Sequence, residues 1–235
     1  MKLGIMQPYF FPYLGYFDLI NRTDKWIVFD IVNYKPKGWM NRNRVLHPTK
    51  GWQYISVPVE KKSRGTKICD TTIVDVKAAG DLIIKQLEHY KNKRAPFVDP
   101  VLGLVESCFY IGDTTSLAKL NVKALESVCE YLGVHFDYSF CSEMNLQFPQ
   151  ISHAGQWALE ISALLGADEY INPPGGREIF REEEFAARNI KLSFTKMENF
   201  EYDCSPYTFV EHLSIIDVLM WNSPDQVKAT LDSFI

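Results

Sequence analysis

The chain has 235 residues, 46% of them hydrophobic, and is long enough to bury a substantial core in one large or two small domains. Its net charge of −4 and its isoelectric point near 5.8 argue against a general nucleic-acid-binding protein, which normally carries an excess of basic residues. The five cysteines are scattered and contain no C-x-x-C pair, so they suggest neither a zinc site nor a disulfide framework and fit a cytoplasmic location.

The N-terminal residues do not have the pattern of a targeting segment. Pro8 and Pro12 interrupt the apolar stretch, and neither a basic n-region nor a small-residue cleavage site accompanies it, so we expect no signal peptide. No window approaches the roughly 18 apolar residues that a membrane span requires, and we expect no membrane insertion.

A parallel β-α-β unit is predicted at the start of the chain. The apolar run Lys2–Met6 ends at a Gln-Pro turn, helix-like spacing follows over residues 15–20, and residues 25–30 read as a buried strand. This order favours a right-handed crossover and makes the first strand part of the main sheet.

A β-hairpin is predicted next, because two β-rich runs at residues 44–46 and 52–57 flank a turn at residues 48–51. Helical spacing follows at residues 77–91, 115–132 and 154–165. Gly133 and Gly166 are suited to end the last two of these helices.

The remaining segments complete an α/β pattern. Strands are predicted at residues 135–140, 169–172 and 190–194, and terminal helices at 213–221 and 224–234. We therefore predict a Rossmann-like parallel sheet with an inserted β-hairpin and a helix-rich C-terminal half. The chain is expected to form a single domain over residues 1–235, with or without a helical subdomain at about 77–132.

Ligands of open parallel sheets bind beyond the carboxyl ends of the strands, and three predicted loops lie there, at residues 7–17, 30–44 and 172–177. The first loop combines aromatic residues and two prolines around a glycine, which predicts a rigid wall that approaches a ligand closely. Its candidate functional residues are Gln7, Tyr9, Tyr13 and Tyr16. The alternative is that these aromatic rings only pack the core or a lid.

The second loop concentrates cations in a chain that is acidic overall. Lys35, Arg42 and Arg44 are candidates to hold phosphate or carboxylate groups, because arginine binds them with paired N–H groups and lysine supplies a point charge. Alternation along a strand would place both arginines on one face. The same loop contributes three further candidates, Trp39, Asn41 and Asn43. The alternative is a solvated charged surface.

A third basic segment follows at residues 60–67 and contains Lys61, Lys62 and Arg64. Its small residues would let it close over a phosphate as a lid, although exposed lysine-rich turns are also common. His153 and Trp157 lie one helical turn apart and would face the same pocket, unless His153 is a cap or a packing residue.

The loop at residues 172–177 combines two prolines with two glycines and an arginine, which predicts a shaped turn at a strand end. Its candidate residues are Asn172, Gly175, Gly176 and Arg177, and the alternative is simply a tight loop. No Ser/His/Asp order, H-E-x-x-H, P-loop or G-x-G-x-x-G pattern is present, and no metal ligands are predicted.

Four motifs together resemble the WbqC-like family, namely those at residues 2–17, 39–44, 61–67 and 174–177. Members of that family occur in bacterial O-antigen and related surface-polysaccharide gene clusters, and the resemblance therefore implies work on an activated sugar. The family pattern often has an acidic pair and a glutamine before the basic loop, where this chain has Asp30, Ile31, Val32 and Asn33.

A second resemblance concerns residues 13–16, Tyr-Leu-Gly-Tyr, which are similar to the H-x-G-H signature of nucleotidylyltransferases with tyrosine in place of both histidines. It implies a nucleotidylyltransferase-like sheet and the binding of ATP phosphates near this turn. Tyrosine donates a hydrogen bond but carries no positive charge at neutral pH. The cations of the loop at residues 30–44 would supply that charge instead.

The function that these resemblances imply is a transferase or ATP-dependent ligase acting on a nucleotide-linked amino sugar, through amide-forming acyl or aminoacyl transfer. ATP and an acyl or aminoacyl donor are both candidate cosubstrates. The expected catalytic residues are Gln7, Tyr13, Tyr16, Lys35 and Arg42. The other candidates would bind the nucleotide sugar or another phosphorylated ligand. The alternatives are a non-catalytic nucleotide-sugar or carbohydrate-binding protein and an assembly protein, and the oligomeric state stays open.

Overall fold

The structure is a computed structural model that describes residues 1–61, 63, 65–110, 114–196 and 200–234. The strands are β1 (Lys2–Met6), β2 (Lys25–Val28), β3 (Arg42–Leu46), β4 (Trp52–Ser56), β5 (Tyr138–Phe140), β6 (Glu169–Asn172) and β7 (Lys191–Phe194). The helices are α1 (Leu14–Asn21), α2 (Val76–Leu87), α3 (His89–Asn92), α4 (Val98–Ser107), α5 (Leu117–Leu132), α6 (Gln156–Leu164), α7 (Glu182–Ala186), α8 (Ile215–Trp221) and α9 (Pro224–Ser233).

Five strands form a parallel sheet in the order β5-β2-β1-β6-β7. Numbered by their appearance in this sheet, they follow the Rossmann order 3-2-1-4-5. Strands β2 and β5 extend the sheet to one side of β1, and β6 and β7 extend it to the other side. The switch point therefore lies between β1 and β6, and the predicted α/β fold with a parallel sheet is confirmed.

Both faces of the sheet are covered, as parallel sheets require. Trp26 and Val28 of β2 join a large core with α1, α5 and α9, whereas Ile27 faces a smaller core with α6 and α7. A side chain at Gly4 of β1 would lie 2.7 Å from the Trp26 ring, so only glycine lets the indole pack this closely.

The predicted hairpin is confirmed as β3 and β4, which pair antiparallel outside the main sheet. Its residues Val45, Leu46 and Ile55 are buried. The backbone N–H of Leu46 donates to the hydroxyl of Tyr90, 3.0 Å away, which fastens the hairpin to the helical region.

Helix α5 shows why the helical predictions succeed. Ser116 accepts a hydrogen bond from the Lys119 N–H at 3.4 Å as the N-cap, and Gly133 ends the helix in the left-handed conformation, with φ of 65°. Strand β2 ends two residues earlier than predicted, where the backbone N–H of Asp30 donates to the Val28 carbonyl at 3.0 Å instead of to a neighbouring strand. The Asp30 carboxylate accepts hydrogen bonds from the N–H and O–H of Ser142 at 2.9 and 2.6 Å. Among the described residues, no helix has the length and apolar character of a membrane span.

Candidate functional site

Two loops and the hairpin meet at the switch point of the sheet. We call residues 7–13 the β1 loop and residues 173–177 the β6 loop. Together with Asn43 and Arg44 of β3 and with Trp39, they enclose a cavity of about 550 Å³, which we call the cationic cavity. Its position beyond the carboxyl ends of β1 and β6 is where ligands of such sheets bind.

A second cavity of about 500 Å³ lies on the other side of Tyr9, and we call it the aromatic cavity. The two cavities share Met6, Tyr9, Asn172 and Ile179 as a common wall. Their volumes fall within the range of small-molecule sites.

The β1 loop is held by side chains from distant parts of the chain. Asn43 donates to the carbonyls of Phe10 and Phe11 at 3.0 and 2.9 Å, and Ser214 donates to the Phe11 carbonyl at 2.7 Å. Asn121 donates to the Pro8 carbonyl at 2.8 Å. Phe11 has a positive φ of 39°, which is uncommon for a residue with a large side chain. The hydrogen bonds that its carbonyl accepts from Asn43 and Ser214 stabilise this conformation.

Arg44 supplies the positive charge of the cationic cavity. Its guanidinium lies 5.5 Å from the Trp39 ring and 5.2 Å from the Trp52 ring, and one Nη donates to the His212 carbonyl at 3.2 Å. Its Nε is buried and has no hydrogen-bond partner in the described part of the chain. The arginine ion pairs among those residues involve other arginines, so this cation has no ion-pair partner there.

The structure does not bring Lys35, Arg42 and Arg44 together in one cavity. Arg42 shares a face of β3 with Arg44, but its guanidinium stacks at 4.0 Å on the Tyr54 ring and donates to the Lys37 carbonyl. It lines neither cavity. Lys35 is exposed and lines the aromatic cavity.

The tyrosines of the β1 loop and of α1 differ in what they reach. Tyr13 lines the cationic cavity, and Tyr9 lines both cavities. Burial raises the pKa of each, so both are hydrogen-bond donors rather than bases at neutral pH. Tyr16 does not fit the expected catalytic role, because its side chain is buried and its hydroxyl donates to the Gln7 carbonyl at 2.8 Å. Gln7 itself lines the aromatic cavity.

The β6 loop is shaped by Asn172 at the end of β6. Its amide accepts from the Tyr170 hydroxyl at 2.8 Å and donates to the Pro173 carbonyl at 2.9 Å. A side chain at Gly176 would lie 2.3 Å from this amide, whereas one at Gly175 would meet no atom within 4 Å. Both glycines line the cationic cavity.

Several other candidates lie away from both cavities. The guanidinium of Arg177 stacks at 4.4 Å on the Phe194 ring. Asn41 donates to the Val57 carbonyl at 3.0 Å and accepts from Tyr34, so it supports the hairpin. His153 lies 2.9 Å from a carboxylate oxygen of Glu184 on α7. Lys61 is exposed and lines neither cavity, and Lys62 and Arg64 lie outside the described residues.

His212 is the residue that the sequence interpretation missed. It lines the cationic cavity with its ring 5.8 Å from that of Tyr13, in an edge-on arrangement. Its φ of 55° is positive, which is uncommon outside glycine. The only sequence signal was a single histidine shortly before a predicted helix, and nothing local connected it with the β1 loop.

The chain matches a known protein family and one curated protein of similar length. The sequence model of the WbqC-like protein family matches residues 7–229, which include the β1 loop, the hairpin and the β6 loop. The chain is also similar to Uncharacterized protein Rv1507c of Mycobacterium tuberculosis (strain ATCC 25618 / H37Rv). The two are 26% identical over 219 residues, which cover 93% of this chain and 92% of that protein. No solved structure matches the chain.

Proposed function

We propose that this chain, which belongs to the WbqC-like protein family, is a transferase or ligase that acts on a nucleotide-linked amino sugar in O-antigen or surface-polysaccharide biosynthesis. In this reaction the sugar amine attacks the acyl carbon of an activated acyl or aminoacyl donor. The bond from that carbon to its leaving group breaks, and the nitrogen loses one proton as the amide forms.

The uncompensated guanidinium of Arg44 in the cationic cavity carries this proposal. A guanidinium binds phosphate well, as it does carboxylate, because two parallel N–H groups match two of the oxygens. Trp39 is 39% exposed beside this cation and offers a flat face to a base or a sugar ring. A nucleoside diphosphate joined to a sugar combines both chemical features.

Catalysis in this site would come from positioning and electrostatic stabilisation. Arg44 would hold the diphosphate, while the hydroxyls of Tyr9 and Tyr13 would donate hydrogen bonds to the sugar or to the oxygen that becomes negative. Asn43 and Asn172 already use their amides within the protein, so they would hold the walls in place.

The test is isothermal titration calorimetry with UDP- and dTDP-linked amino sugars. We expect Arg44→Gln to weaken binding by about 10- to 100-fold, since a hydrogen bond to a charged group is worth about 1.5–3 kcal/mol. Arg42→Gln is the matched control, because it removes the same charge from the same face of β3 outside the cavity. Equal affinities for the wild type and the Arg44 variant would show that Arg44 does not hold the phosphates.

A non-catalytic nucleotide-sugar or carbohydrate-binding protein is the second candidate. One observation favours it. The described residues that line the two cavities include no Asp or Glu, so no carboxylate there can act as a general acid or base. Mass spectrometry separates the two candidates. An enzyme would form the amide when an acyl donor is added with or without ATP, whereas a binding protein would leave the bound sugar unchanged.

A further inference from the structure

The aromatic cavity lies directly against the cationic cavity but has different chemistry. Its walls include Phe29, Trp157, Tyr170 and Phe180, and the Phe29 and Trp157 rings are 5.8 Å apart. Because the two cavities share Tyr9 and Asn172, molecules bound in them would lie next to each other, on either side of these residues. A reaction between two substrates requires that they be held close together.

Helix α6 gives the aromatic cavity its space. Trp157 and Ala158 in the first turn of α6 line it, together with Ala154 in the turn that precedes the helix. The two alanines leave room beside the indole. Gly155, just before α6, packs tightly on Ile179, two residues after the β6 loop, since a side chain at Gly155 would lie 2.1 Å from the Ile179 carbonyl oxygen. This close approach places the start of α6 against Ile179, which lines both cavities.

Lys35 and Gln7 are polar residues of the aromatic cavity, whereas Tyr170 and Asn172 already bond to each other in its wall. Lys35 is exposed whereas Tyr170 is 2% exposed, so the cation lies at the open side and the phenol ring at the bottom. The lysine ion pairs of the described residues involve other lysines. The Gln7 side chain also lines this cavity and completes a site that is apolar inside and cationic outside.

We propose that the aromatic cavity binds the acyl group of the second substrate, with its apolar body against Trp157 and Phe180 and an anionic group at Lys35. A free carboxylic acid and an acyl thioester of coenzyme A share this chemistry, since the first has a carboxylate and the second has phosphates. This assignment rests on the proposed function for the use of the acyl group. Binding itself does not require the nucleotide sugar.

The experiment measures binding of butanoate, phenylacetate and their coenzyme A thioesters to the full chain by calorimetry. We expect at least one class to bind, and we expect Trp157→Leu and Lys35→Gln each to weaken it tenfold or more. Preference for the free acids would indicate a ligase, and preference for the thioesters a transferase. Lys37→Gln is the matched control, because Lys37 is exposed in the same loop and lines neither cavity.

The outcomes separate this inference from the proposed function. If nucleotide sugars bind and no acyl compound does, the acyl site is overturned while the proposed function stands. If acyl compounds bind and depend on Lys35 while nucleotide sugars do not bind, the acyl site stands and the proposed function falls. Lys35→Gln alters an exposed side chain, so unchanged acyl affinity in this variant would overturn the assignment even if Trp157→Leu failed to fold.

Discussion

Residues of the same type have different roles in this molecule because their neighbours come from different parts of the chain. Arg42 and Arg44 share a face of β3, yet the first stacks on the neighbouring strand and the second reaches a cavity. Tyr13 and Tyr16 are three residues apart, yet only Tyr13 reaches a cavity. Their position in a motif therefore does not determine their function, and each side chain has to be assessed by its contacts.

Asn43 should be important for stability as well as for the shape of the site. Its buried amide pairs with two carbonyls of the β1 loop, and Asn43→Ala would leave both without this donor. We expect a loss of about 2–3 kcal/mol in the free energy of unfolding, measured by urea denaturation. Asn92→Ala, at an exposed position, should change it by less than about 0.5 kcal/mol. Equal effects of the two substitutions would contradict this role.

His89 should make the stability dependent on pH. Its ring stacks on Tyr90 with centroids 4.3 Å apart, and burial is the main reason that its pKa falls to about 4. The unfolded chain binds a proton at this residue below about pH 6.5, whereas the folded protein does so only near pH 4. Stability contributed by neutral His89 is therefore present above about pH 6.5 and is lost as the pH falls towards 4.

We expect His89→Gln to lose about 1–2 kcal/mol less stability than the wild type when the pH is lowered from about 7 to about 5. The buried carboxyl of Asp217 has a raised pKa and acts in the opposite direction, but it is present in both proteins and cancels in the difference. Urea denaturation at both pH values makes the comparison, with the exposed His135→Gln as the control. If His89→Gln and His135→Gln showed the same pH dependence of stability, His89 would not be its source.

At the scale of elements, the β6 loop provides a matched pair of substitutions. Gly176→Ala would push against the Asn172 amide and move the wall that the cavities share, whereas Gly175→Ala meets no neighbour. We expect Gly176→Ala to weaken nucleotide-sugar binding at least tenfold and Gly175→Ala to weaken it less. Calorimetry gives the affinities, and melting temperatures show whether both variants are folded. A larger effect at Gly175 would mean that ligand contact, rather than the position of Asn172, controls binding.

The sequence predicted the elements better than the site, because elements depend on local signals. Alternation, turn residues and caps identified β1, the hairpin and α5 from neighbouring residues alone. The same signals identified the loops after β1 and β6, and both line the cationic cavity. The division of the cations between two cavities and the presence of His212 depend on contacts between distant segments, which no local pattern encodes.

At the scale of the whole molecule, the charge is distributed unevenly. The chain has a net charge of −4, yet Arg44 and Lys35 place cations on the cavities at the switch point. Acidic residues elsewhere keep the overall charge negative, which reduces non-specific association with polyanions. A small anion that comes within about 10 Å of these cations is still attracted to them, because this is the screening length at moderate salt.

The single-domain organisation stays a prediction that the shared core supports. Leu19 of α1, Val45 of the hairpin, Ile83 of α2 and Leu125 of α5 belong to one buried cluster. We therefore expect thermal unfolding followed by circular dichroism and by tryptophan fluorescence to give the same midpoint. Ile83→Ala should lower both midpoints together, because removing a buried isoleucine costs about 2–5 kcal/mol. Two separate midpoints would instead support an independent helical subdomain at residues 77–132.

The hydrogen bonds to the β1 loop also determine when this wall can form during synthesis. The loop leaves the ribosome early, but the Phe11 and Pro12 carbonyls obtain their last partners from Ser214 and from the backbone N–H of Ile215. All five strands of the sheet are complete by residue 194. A growing chain can therefore assemble its sheet before it can complete this wall, because Ser214 and Ile215 are made after the last strand.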